Sequence, residues 1–132
     1  MMTCRRHPTA GRFMRTCPGC AQELYDIEAR NRAHAAARTA LTLIGTPHAE
    51  ITDVHATDTT LIVASRQPGE HYAYAVDVFR LPTPAETDPD LTDDYRLTPG
   101  QWLLDWQAGD HDPATIPDMI TAARRHLTRH TA

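Results

Sequence analysis

Alternation of apolar and polar positions divides the chain into a helical first third, a strand-forming middle and a helical end. Residues 21–45, AQELYDIEARNRAHAAARTALTLIG, contain no proline, and no glycine before Gly45; their Ala, Leu, Glu and Arg content is that of a long helix. Leu24, Ile27, Leu41 and Ile44 form its apolar stripe, while the mostly alanine middle, with Asn31 and His34, lets another element approach closely. Asp26 to Arg30 and Glu28 to Arg32 are i,i+4 pairs in the favourable orientation, and Gly45 followed by Pro47 supplies a stop. The spacing predicts that this helix starts only after Cys20.

From Ile51 to Leu81 the period shortens to two. ITDVHA, TTLIVAS and HYAYAVDVFRL read as three strands of an antiparallel meander, separated by Thr57-Asp58 and by Gln67-Pro68-Gly69-Glu70, whose Pro-Gly centre suits a type II turn. In the third strand Tyr72, Tyr74, Val76 and Val78 alternate with Ala73, Ala75, Asp77 and Phe79, which predicts one face packed on helices. Residues 82–95, PTPAETDPDLTDDY, are too acidic and proline-broken for extended regular structure. Thr98 as cap and Pro99 at the first position predict a short helix over TPGQWLLDWQ. A last helix follows, with Thr115-Ile116-Pro117-Asp118 as a capping box and Ile116, Met119, Ile120, Ala123 and Leu127 as its stripe.

The first twenty residues have no such pattern. Between Met2 and Cys20 only Phe13 and Met14 are large and apolar, yet all three cysteines of the chain lie here. Cys4, His7, Cys17 and Cys20 follow C-x2-H-x9-C-x2-C spacing, in which each pair fits one tight turn and the two turns together complete a tetrahedral zinc site. A segment so poor in apolar side chains needs the metal for its folding energy. Four protein ligands close the coordination sphere, so the expected Zn2+ is structural. The expected organisation is a zinc knuckle at 1–22 and a small α+β domain at 23–132, with a long helix, a three-stranded antiparallel sheet and two C-terminal helices.

The quartet, read through Cys4-Arg5-Arg6-His7-Pro8 and Arg15-Thr16-Cys17-Pro18-Gly19-Cys20, resembles the knuckle found at the N-termini of many small actinobacterial proteins and of some bacterial rhomboid-family membrane proteins. That knuckle is itself similar to the first half of a B-box zinc finger. The resemblance covers residues 4–20 and implies zinc binding at these four positions and a protein-interaction role. No second C-x2-C and no membrane span follow, so protease activity is not carried over. Absence of lysine, with abundant Ala, Thr, Asp and Pro, fits a GC-rich genome such as an actinobacterium or one of its phages.

Charge adds a second reading. Residues 1–38 carry seven arginines against three carboxylates, whereas residues 39–132 carry six against fourteen, in a chain of net charge -4. Arg5, Arg6, Arg12 and Arg15 around the knuckle, extended by Arg30, Arg32 and Arg38 along the helix, form a candidate nucleic-acid surface on an otherwise acidic protein. Trp102 and Trp106, four residues apart on the expected short helix, are candidate partner anchors if any part of them is exposed.

Catalysis is not readable. Cys17-Pro18-Gly19-Cys20 has thiol-redox spacing but lacks the preceding strand of a thioredoxin-type frame, and His7 is not followed by the glutamate of a zinc deaminase. The remaining histidines show no H-E-x-x-H spacing, and Asp88, Asp90, Asp93 and Asp94 lack the glycine and closing glutamate of a calcium loop. The expectation is a cytoplasmic, non-enzymatic zinc-binding adaptor or regulatory protein with a protein partner and no membrane contact. Nucleic-acid binding is the alternative and a C-x-x-C redox protein the minor one.

Overall fold

The computed structural model describes residues 18–67 and 73–131. The chain forms two compact units, Met1–Arg32 and Ala33–Ala132. Helix α1 (Pro18–Leu43) contributes to both, and the second unit continues with strands β1 (Glu50–Ala56), β2 (Thr60–Arg66), β3 (Tyr74–Arg80) and β4 (Leu103–Asp110) and helix α2 (Ile116–Thr131). The architecture is α+β. Its sheet has four strands in the order β1-β2-β3-β4, all antiparallel, and a single α-helix closes the chain.

Helix α1 ends as expected. Gly45 takes φ +87°, Thr46 N–H bonds the Leu41 carbonyl at 2.9 Å and Gly45 N–H bonds that of Thr42 at 3.1 Å, the paired bonds of a Schellman cap. Arg38 ties the following connection to the helix, donating from Nη1 to the carbonyls of Pro47 at 2.9 Å and Ala49 at 2.6 Å. The apolar stripe divides in two. Leu41 is buried and Ile44 partly so, whereas Leu24 and Ile27 are exposed, together with Tyr25.

Both faces of the sheet are covered, where the alternation of β3 predicted one. Ala37, Ala40 and Leu41 of α1 pack on Leu61, Val63 and Phe79. Met119 and Ala123 of α2 pack on Ile62, Ala64, Val76 and Val78. Successive strand residues point to opposite sides, so β2 and β3 read as continuous apolar runs once each side has its own helix.

The short helix expected at 98–107 is not formed. Gln101 N–H bonds the Thr98 carbonyl at 3.3 Å and Gly100 has φ +77°, so Thr98-Pro99-Gly100-Gln101 is a β-turn leading into β4. Proline in the second position and a positive-φ glycine in the third are type II turn chemistry, and they outweigh the helical spacing of the tryptophans. A Cβ at Gly100 would meet nothing within 4 Å. Gly100→Ala is therefore expected to cost only backbone strain, about 1–2 kcal/mol, measurable as a lower urea midpoint at unchanged slope.

The start of α2 also differs from expectation. Asp112, not Thr115, is the cap: its carboxylate accepts the Ala114 amide at 2.9 Å and opens a 3-10 turn, Pro113–Thr115, that runs into the helix. Thr115 instead donates its hydroxyl to the Asp112 carbonyl at 2.7 Å, so no capping box forms. The inward stripe of α2 is the expected one, with Ile116, Ile120 and Leu127 joining Met119 and Ala123.

Candidate functional site

Of the four residues expected to bind metal, Cys4, His7 and Cys17 lie outside the described residues, as do Arg5, Arg6, Arg12 and Arg15. Cys20 is half-buried in the first turn of α1. The helix begins at Pro18 rather than after Cys20; proline suits a first helical position because its missing N–H has no intrahelical partner there. Among the described residues no group of three or more His, Cys, Asp or Glu is placed to hold a metal ion. Arg30 and Arg32 are exposed on α1, whereas Arg38 is engaged with the Pro47 and Ala49 carbonyls.

The tryptophans separate. A bulge in β4 pairs Val78 with Trp106 and Phe79 with Leu104, leaving Asp105 as the extra residue. In an unbroken strand residues 102 and 106 would share a face; the inserted residue shifts the phase by one. Trp102 accordingly packs with the α1-side core and Trp106 with the α2-side core, both half-buried.

The same bulge aims Asp105 at α2. Its Oδ2 lies 2.8 Å from His126 Nε2 and its Oδ1 lies 3.6 Å from Arg80 Nε. Arg80 in turn donates Nη1 and Nη2 to the two oxygens of Glu86, at 2.7 and 2.9 Å. The His126 ring stacks on Trp106, centroids 6.3 Å apart. Hydrogen bonding to Arg80, reinforced by the Thr83 amide, holds the Glu86 carboxyl down to about 2, and Glu86 raises the Arg80 guanidinium in return. This chain of bonds joins the end of β3, the base of the acidic loop, the β4 bulge and α2. Planar bidentate pairing makes it a clamp. Arg80→Met is expected to release the loop, seen as severalfold faster protease cleavage within 82–97 while the sheet stays protected from hydrogen exchange.

Asp77 was not singled out by its sequence context, and it is the most unusual group in the second unit. It lies mid-sheet on the α1 side, between Val63 and Gln107, and is fully buried. Neither carboxylate oxygen receives a hydrogen bond of good geometry; the Gln107 amide is near enough to lower the pKa slightly, but burial dominates and raises it to about 6. Ser65, also buried, accepts a long 3.4 Å bond from Gln67. An acidic residue at the centre of YAVDVFR was the one available signal, and it became informative only once both faces of the sheet were known to be covered.

No described helix is long and apolar enough to cross a membrane. Compared with known proteins, the chain matches no family model, no curated protein and no solved structure.

Proposed function

We propose that this chain is a small, non-enzymatic zinc-binding adaptor in which Cys4, His7, Cys17 and Cys20 hold a structural Zn2+. The observation that carries the proposal is the ligand quartet itself, in a segment with almost no apolar side chains, with its last cysteine in the first turn of a helix. The resemblance of residues 4–20 to the N-terminal knuckle supports the same role. Leu24, Tyr25 and Ile27, one to two turns beyond Cys20, are exposed apolar side chains and supply an interaction surface next to the metal.

The test is partner capture with the full chain. Protein carrying zinc is expected to retain a protein partner that is lost on chelation and, separately, in the Leu24→Asp/Ile27→Asp variant. Retention of the partner by both forms would overturn the adaptor reading. Exposure of Arg30 and Arg32 keeps the nucleic-acid reading in view. It requires retention on DNA or RNA that weakens steeply with salt, and no retention at low salt would end it.

A further inference from the structure

The second unit carries two oppositely charged surfaces that do not pair with each other. On α2, Thr121, Arg124, Arg125, Thr128 and Arg129 share the side away from the Met119 and Ala123 contact. None of the three guanidiniums forms an ion pair with a described carboxylate. The β3–β4 connection is the counterpart: Asp88, Asp90, Asp93 and Asp94 are all exposed, and only Asp93 is paired, with Arg96. In the same connection Tyr95 is 78 % exposed and Leu91 37 %.

Topology brings the base of the acidic loop toward the C-terminal half of α2. β4 runs from the Arg80 end of the sheet to Asp110, paired with Tyr74, and α2 then returns along it. The His126–Asp105 bond fixes the returning C-terminal half of α2 near Arg80, and Arg80 holds Glu86 at the base of the acidic loop. Arg129 is one turn past His126, on the same flank of the helix. A basic strip and an acidic loop on the same unit, the loop carrying exposed apolar side chains among its charges, complement each other across a two-fold axis.

We propose that the surface is covered by a second copy of this chain. The 88–95 loop of each copy lies on the α2 arginines of the other, with Leu91 and Tyr95 at the centre. Charge sets the register and the apolar pair supplies the desolvated contact, since exposed ion pairs alone contribute little. The contact needs neither the metal nor α1.

Sedimentation equilibrium of the full chain tests this, with circular dichroism confirming that each variant is folded. A dimer is expected with a dissociation constant on the order of 10 µM, weakening at least ~10-fold between about 0.05 and 0.5 M salt. Reversing the helix charges (R124E/R125E/R129E) or the loop charges (D88R/D90R/D94R) is expected to give a monomer, and an equimolar mixture of the two folded variants is expected to form a heterodimer. A wild-type monomer at about 200 µM and low salt would overturn the proposal. A dimer indifferent to both reversals, or a mixture that stays monomeric, would also overturn it. So would a monomer whose α2 arginines are needed only for binding single-stranded DNA, which would make the face a phosphate site.

Discussion

Asp77→Asn is expected to stabilise the protein at neutral pH by up to about 3 kcal/mol, the free energy that corresponds to a carboxyl raised from 3.8 to about 6 on folding. The sign follows from proton binding. Between these two values the folded protein holds the Asp77 proton while the unfolded chain has lost it. Stability therefore falls as pH rises from about 4 to about 6, and the full penalty is present above that range. Asparagine keeps the shape, cannot ionise, and retains the Gln107 amide as a neighbour. Urea denaturation from pH 4 to 8 should show the wild type losing stability across this window and the variant losing much less. Equal pH dependence of the two would show that Asp77 is paired or hydrated in solution.

Glu86 acts in the opposite sense. Its carboxyl is depressed from 4.5 to about 2 by Arg80, so its contribution is present above pH 4.5 and is lost as pH falls toward 2. With Asp77 destabilising above pH 4 and Glu86 stabilising above pH 2, these two groups place maximum stability near pH 4 to 5. Glu86→Gln is expected to flatten the acid limb of the profile and leave the limb above pH 4.5 unchanged.

Removing a zinc ligand is expected to have the largest effect on the first unit and a small one on the second. A structural zinc site of this type contributes about 10–16 kcal/mol of binding free energy at neutral pH, which is folding free energy for a segment without a core. Loss of one thiolate from four, as in Cys20→Ser, is expected to weaken zinc binding by a factor of ~100 or more. Every buried residue of the two core clusters lies at or after Ala37, so the four-stranded sheet has its own source of stability. The variant should lose its metal while the amides of Leu61–Ala64 and Val76–Phe79 keep their protection from hydrogen exchange. Collapse of that protection in Cys20→Ser would show that the sheet depends on the metal.

The legible parts of this chain were those in which local chemistry and tertiary packing agree. Gly45 and Pro47 marked the end of α1, period-two alternation placed β1, β2 and β3, and Ile116, Met119, Ile120, Ala123 and Leu127 marked the inward side of α2. Failure came where two signals conflicted. Trp102 and Trp106 have helical spacing, but Pro99-Gly100 is a turn, and the bulge at Asp105 then sends the two rings to opposite faces of a strand. A single inserted residue in a strand leaves no trace in hydrophobic periodicity. The isolation of Asp77 and the Arg80–Glu86–Asp105–His126 clamp likewise depend on which strands become neighbours, and β4 was the strand not foreseen. Of the candidate site, the ligand types and spacing were legible, and the structure adds the position of Cys20 in the first helical turn.

Metal content of the purified full-length chain tests the central claim most directly. Protein isolated without chelator should contain about one equivalent of zinc, and the Cys4→Ser, Cys17→Ser and Cys20→Ser variants should each contain almost none. Less than about half an equivalent in the wild type, or zinc retained in full by all three variants, would contradict it.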